Sequence, residues 1–249
     1  MTALYDPQNE TLEPLGRAGF RLIQPRRLFR YGTDSVLLAD FAAKKAFSSA
    51  VDLGTGSGVI PLLMLARRPA CRIDAIEIDP YMAELAARNF DLNETGERLR
   101  AFCGDLREAA GLLGREKYEI AVSNPPYYDA DASLQGPDGT RNRARQDGSC
   151  TAEELCRAAF ALIRNGGRFF VIWPSARLPE MFAAMTENRI APKRIRCVED
   201  APGKVCRLVL LEGVKNGGAG LEWLPPLYLH DENGGETEEY RRIYYPEEE

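Results

Sequence analysis

From Ala50 to Trp173 the chain alternates short apolar runs with helical patterns, and this alternation restricts the fold more than any other property. The runs Ala50–Leu53, Arg72–Glu77, Leu99–Phe102, Tyr118–Val122 and Arg168–Trp173 end in turn residues and predict strands. Between them, Val59–Arg67 carries a continuous apolar face. Asp79-Pro80 places a polar cap and a proline at the start of a helix that continues through Asn89. Thr151 and Glu154 have capping-box spacing ahead of Leu155–Arg164, and Asn165-Gly166-Gly167 supplies the stop. Strands and helices alternating at this length imply βαβ units, hence a mostly parallel sheet covered on both faces. Such sheets bind ligands where strand ends meet helix starts.

Two later runs, Lys193–Val198 and Val205–Leu211, are joined only by a short connection, which predicts an antiparallel edge hairpin. The expected fold is α/β, with a mostly parallel seven-stranded sheet, helices on both faces and an antiparallel C-terminal hairpin. Ahead of the sheet, Arg21–Arg30 reads as a short hairpin and Asp34–Ala46 as a helix; behind it, Leu221–Tyr245 is rich in Pro, Gly and acids. The expected organisation is an N-terminal hairpin and helix over residues 1–47, a ligand-binding core over 48–215 and an extension over 216–249.

A length of 249 residues suits one large domain. No stretch approaches the ~18 apolar residues of a membrane span, and the first residues carry neither a basic segment nor an apolar signal core, so the expected location is cytoplasmic. Six cysteines without a CxxC pair, and the lone His230, predict reduced thiols and leave little for a zinc site or a histidine-based triad. A net charge of −5 argues against a protein that coats nucleic acid indiscriminately. Local basic faces remain open at Arg26-Arg27-Arg30, Arg141-Arg143-Arg145 and Lys193-Arg194-Arg196, each equally readable as solvated surface charge. Tyr128 to Ser149 is nearly devoid of apolar residues, which predicts a substrate-contacting loop that orders on binding.

Val51-Asp52-Leu53-Gly54-Thr55-Gly56-Ser57-Gly58 stands at a strand-to-helix junction, where Gly54, Gly56 and Gly58 allow a tight turn and close approach to a ligand. The spacing is GxGxG rather than GxGxxG, with Asp52 just ahead of it. A carboxylate there repels a pyrophosphate but suits S-adenosylmethionine, which carries an ammonium and a sulfonium. Glu77, at the end of the second strand, is placed to accept from ribose hydroxyls. Asp105, at the end of the third, is placed to accept from the adenine amine, with Phe102 and Leu106 packing on the ring. Taken singly, these residues also fit a tight turn and helix caps.

Ser123-Asn124-Pro125-Pro126-Tyr127-Tyr128 follows the fourth strand, at the same edge of the sheet. Adjacent prolines end the strand and leave carbonyl acceptors without competing donors. An exocyclic amine or an amide nitrogen is a poor nucleophile because its lone pair is delocalised. The Asn124 side-chain oxygen and the Pro125 carbonyl are suited to accept its two hydrogens, turn the lone pair toward the methyl and stabilise the growing positive charge. Tyr127 is expected to stack on the flat substrate.

These motifs resemble the N6-adenine methyltransferases, and most closely the family that modifies valine tRNA at an adenine beside the anticodon. The similarity covers roughly Phe20 to Tyr245 and includes Arg30-Tyr31-Gly32-Thr33-Asp34-Ser35, the glycine loop, Ala75-Ile76-Glu77-Ile78-Asp79, the Asn-Pro-Pro-Tyr motif, Pro202-Gly203-Lys204 and Leu224-Pro225-Pro226-Leu227. The resemblance implies a Rossmann-like class I methyltransferase using S-adenosylmethionine on structured RNA, with tRNA as the expected partner and no metal or membrane. It carries cofactor-binding roles to Thr33, Asp52, Glu77, Asp105 and Asn124, with the Gly-Thr-Asp helix start near the methionine end of the cofactor. Tyr128, Arg141, Arg143 and Arg145 are the expected RNA contacts. Two sister activities stay open: methylation of a glutamine amide in release factors, whose enzymes carry a helical domain ahead of the glycine loop, and methylation of guanine amines in ribosomal RNA.

Overall fold

The computed structural model describes residues 5–27, 30–126 and 150–245. Strand β3 (Ser49–Leu53) lies at the centre of the sheet, parallel to β4 (Arg72–Glu77) on one side and β6 (Tyr118–Ser123) on the other. β5 (Leu99–Cys103) adds to β4, and β7 (Ile163–Pro174) to β6, again in parallel. Beyond β7 come the antiparallel β9 (Leu208–Lys215) and then β8 (Ile190–Glu199). These seven strands form the expected α/β, Rossmann-like sheet, closed at one side by the antiparallel hairpin.

The hairpin departs from expectation in two respects, its place in the sheet and the bounds of its second strand. It is not at the edge, because the two-residue strands β10 (Glu222–Trp223) and β11 (Leu227–Tyr228) pair with the outer side of β8 and bring the sheet to nine strands. The later strand takes the inner place because its run Val209 to Gly213 is buried throughout, as a strand covered on both faces must be, whereas β8 carries half-exposed polar residues. β9 also starts and ends later than the apolar run, since Val205 is 82% exposed and the strand continues to Lys215. The Lys215 ammonium, though buried, donates to Glu116 at 2.7 Å and to the carbonyls of Phe160 and Ile163 at 2.8 and 3.0 Å.

Each strand sends alternate residues to two apolar layers. In β7, Phe170 and Ile172 join one core and Phe169, Val171 and Trp173 the other. The first core is covered by α1 (Thr33–Ala43), α2 (Val59–Arg67) and α3 (Pro80–Leu92). The second lies under α4 (Ala109–Leu113), α5 (Ala152–Leu162) and α6 (Leu178–Glu187). Helix starts follow the expected caps. Asp79 accepts from the backbone of Tyr81 and Met82 at 2.9 and 3.1 Å with Pro80 behind it, and Thr151 and Glu154 form the reciprocal capping box. The end of α5 does not fall at Asn165-Gly166-Gly167: the helix stops at Leu162 and those residues already belong to β7. A side chain at Gly167 would sit 2.8 Å from the Arg164 carbonyl, so the glycines serve a tight irregularity at the strand's start.

The N-terminal hairpin is also displaced from expectation. It joins β1 (Glu10–Pro14) to β2 (Arg21–Pro25), with the turn at residues 15–20, instead of occupying Arg21–Arg30. It is fastened to α3 by a buried carboxylate. Glu10 accepts from Arg88 and from the Tyr81 hydroxyl at 2.9 Å, and the Arg88 guanidinium holds its carboxyl down at about 2. At the other end of the chain, Glu238–Tyr244 forms helix α7, capped by Thr237, within a stretch whose composition gave no helical pattern. Its Tyr240 and Ile243 are buried in the first core beside α1, and Arg17 donates to the last carbonyls, Ile243 and Tyr244. No helix among the described residues is long and apolar enough to cross a membrane.

Candidate active site

Because β3, β4, β5 and β6 are parallel, the segments that follow them emerge at one edge of the sheet. A cavity of about 520 Å³ opens there, within the ~300–1,000 Å³ of small-molecule sites. Gly54, Thr55, Gly56 and Ser57 form one wall, Glu77 and Ile78 the next, then Gly104, Asp105 and Leu106, and finally Asn124, Pro125 and Pro126. The turn after β3 is fixed from below. The backbone N–H groups of Gly54 and Thr55 donate to the Ile76 carbonyl at 2.9 and 3.1 Å, and Gly56 donates to the Glu77 carboxylate at 2.8 Å. Buried Asn89 of α3 ties the same turn to the hairpin, donating to the carbonyls of Ser57 and Ile23 at 2.9 and 3.0 Å and accepting from Ile23 N at 2.7 Å.

Of the residues singled out in the sequence, Gly54, Gly56, Glu77, Asp105, Leu106, Asn124 and Pro125 line this cavity together. Thr33, Asp52 and Gly58 do not line it. Gly58 begins α2 with φ of +82°, and a Cβ there would fall 2.7 Å from the Phe90 ring, so this glycine serves close packing of α2 on α3. Asp52 lies wholly buried behind the loop. Neither of its oxygens, nor the nearby Thr55 hydroxyl, has a hydrogen-bond partner among the described residues. Burial pushes its carboxyl up to about 7, with a further push from Glu77. Tyr127, Tyr128, Arg141, Arg143 and Arg145, with the proposed substrate loop, lie outside the described residues.

The cavity also holds residues the sequence reading passed over. Tyr31, Asp34 and Ser35 enter from the start of α1, Met82 from α3, Arg107 from beyond β5, and Cys150 and Leu155 from around the start of α5. Tyr31, Asp34 and Ser35 lie in the stretch Arg30 to Ser35 that the resemblance covered, from which only Thr33 was given a role; Met82, Arg107, Cys150 and Leu155 carried no signal. Arg107 grips both oxygens of Asp105 and reaches Glu154 at 3.5 Å, so Asp105 is held below its ordinary value chiefly by that guanidinium. At the opposite end, the Asn124 side-chain nitrogen donates to Asp34 Oδ2 and to Ser35 Oγ, each at 3.0 Å. Among the described residues, three carboxylates, Asp34, Glu77 and Asp105, thus line the cavity against one guanidinium, with Asp52 behind the wall. This balance suits a cationic nucleoside and opposes a phosphate.

A family model described as the methyltransferase small domain matches residues 31–187. The chain is 30% identical, over 91% of its own length and 91% of the relative's, to the tRNA1(Val) (adenine(37)-N6)-methyltransferase of Porphyromonas gingivalis. It is 33% identical to the enzyme of the same name from Bacteroides fragilis, over 70% of this chain and 72% of that one. Among solved structures, a predicted O-methyltransferase from Agrobacterium tumefaciens superposes with a TM-score of 0.69 at 23% identity, covering 85% of this chain and 95% of that one. P. horikoshii TYW2 in complex with MeSAdo gives 0.58 at 17% identity, covering 86% and 74%. At these identities the structures speak for the shared fold.

Proposed function

Since the chain belongs to the methyltransferase small-domain family, and within it to the tRNA1(Val) (adenine-N6)-methyltransferases, we propose that it methylates the exocyclic N6 amine of an adenine in tRNA, in the cytoplasm, using S-adenosylmethionine. The observation that carries the reading is the orientation of Asn124. Its side-chain nitrogen is taken up by Asp34 and Ser35, so the part it offers an incoming amine is its oxygen, an acceptor.

Bound S-adenosylmethionine supplies an electrophilic methyl on a sulfonium sulfur. Glu77, whose two oxygens already accept from the backbone of Gly56 and Asp79, retains lone pairs for ribose hydroxyls. Asp105 and Leu106, which line the same cavity, would hold the adenine end. Asn124 Oδ1 and the Pro125 carbonyl accept the two hydrogens of the target amine, which localises its lone pair. These oxygens would stabilise the positive charge that develops on nitrogen as its bond to the methyl forms and the methyl–sulfur bond breaks, its electron pair returning to sulfur as a neutral thioether, and the surplus proton would then leave to solvent. Tyr127 stacks on the base, and Tyr128, Arg141, Arg143 and Arg145 contact the RNA. The target adenine must leave its stack to reach Asn124.

Asn124→Ala tests the assignment. It is expected to lower methyl transfer to tRNA by about 100-fold or more while cofactor affinity stays within about twofold, because the side chain contacts the acceptor nitrogen and not the donor. Labelled transfer to unmodified tRNA with nucleoside mass analysis reads the first quantity, and calorimetric titration the second. Label in release factors or in guanine would move the function to a sister family.

A further inference from the structure

Asp34 and Ser35, the second and third residues of α1, converge on one atom, Asn124 Nδ2, each at 3.0 Å. A carboxylate has no proton to donate, so whatever faces Asp34 must be the amide's NH2. The geometry points to a latch: Asp34 and Ser35 are positioning residues that fix the rotation of the Asn124 amide, so that Oδ1 alone faces the methyl acceptor. An amide turned over would present N–H groups to an amine, repelling its hydrogens. The inference rests on the reading of Asn124 as the acceptor-binding residue and extends it to Asp34 and Ser35, to which the resemblance carried no role of their own.

Gly32 independently marks the same latch. Its backbone is extended, with φ −116° and ψ −176°, which any residue adopts. Its lack of a side chain is explained by space: a Cβ there would sit 2.8 Å from Asp34 Oδ1. The obstructed atom is the end of a side chain, so a methyl at this position displaces the Asp34 carboxylate and leaves the backbone where it is. The other Asp34 contact, Ser35 N donating to Oδ1 at 3.0 Å, holds the carboxylate in the rotation that aims Oδ2 at Asn124.

The latch makes a demand on chemistry that a merely polar environment does not. Aspartate at position 124 retains oxygen acceptors but loses the NH2, and two carboxylates then face each other across the 3.0 Å gap. Asn124→Asp is expected to lower kcat by about 100-fold, and adding Asp34→Asn, which restores a donor on the other side, to recover about tenfold or more. Asp34→Asn alone lowers kcat by about three- to tenfold, and Gly32→Ala by about tenfold with the KM for RNA and the cofactor affinity unchanged.

Melting temperatures of the same chains read the latch without any acceptor. Asn124→Asp lowers the melting temperature and Asp34→Asn restores it. Rescue in both rate and melting temperature supports the proposal. Rescue in neither, or in melting temperature alone, overturns it, as does a cofactor affinity that falls in step with kcat in Asp34→Asn, which would assign Asp34 to the cofactor instead. If the unaltered chain methylates no RNA while the melting temperatures still show the rescue, the proposed substrate fails and the contact among Asp34, Ser35 and Asn124 stands.

Discussion

Asp52 has no exposed surface and no hydrogen-bond partner among the described residues, and burial lifts its carboxyl from 3.8 to about 7. The folded chain therefore keeps a proton that the unfolded chain has already lost over this interval. The stability so gained is fully present below the unfolded value and disappears as the pH rises through about 7. Asp52→Asn, neutral at every pH, is expected to flatten the fall in the urea midpoint between pH 4 and 7, a difference on the order of 2–4 kcal/mol across that range. An unchanged slope would mean that Asp52 is ionised in the folded chain. The sequence exposed this acid, with Glu77, Asp105 and Asn124, because each lies within three residues of a glycine or proline at or near a strand end, where a local pattern suffices. It did not expose Asp34, Ser35 or Arg107 as cavity residues, because their roles depend on partners 89 or 90 positions away for the first two and on the fold around β5 for the third.

Helix α3 holds the hairpin and the cofactor loop together, and Asn89 is where the two meet. Asn89→Ala leaves the Ile23 N–H and the carbonyls of Ile23 and Ser57 without that partner in a buried place. At ~1–3 kcal/mol for each group left unsatisfied, relieved in part by entering water, a loss of about 3 kcal/mol is expected. Because Ser57 lines the cavity, a weaker cofactor affinity should accompany it. Denaturant unfolding combined with calorimetric titration checks both, and a stability loss with unaltered affinity would limit Asn89 to the hairpin. The alternating elements of the sheet were readable because strand and helix periods differ and polar caps such as Asp79 and Thr151 mark the boundaries. The hairpin was misplaced because β1 is short and mixed in character, while the apolar Leu22-Ile23 beyond the turn suggested a strand with a partner downstream. The hairpin's real register is set by packing against α3, through Glu10 with Arg88 and Asn89 with Ile23, which no short-range pattern encodes.

Across the whole molecule, the first core joins residues from both ends of the chain. Leu15 and Leu22, the apolar α1 residues from Val36 to Ala43, and Tyr240 and Ile243 of α7 belong to one apolar cluster. The inner end of α1 is where Asp34 and Ser35 hold Asn124, and α7 packs against the same helix. Composition hid α7, since a seven-residue segment among glycines and acids has too few turns to show a period. Its helicity comes from the Thr237 cap, the burial of Tyr240 and Ile243, and the Arg17 side chain on its last carbonyls. Ile243→Ala removes a buried side chain 5% exposed and is expected to cost about 2–4 kcal/mol, a fall in melting temperature of roughly 4–16 °C for a chain of this size. If α7 also steadies α1, kcat should fall below the activation lost to unfolding alone when measured well under the melting temperature, while the isolated cofactor contact at Glu77 keeps its affinity. A variant that melts earlier but turns over at the normal rate would confine α7 to stability and leave Asn124 held by α1 without help from the C-terminal segment.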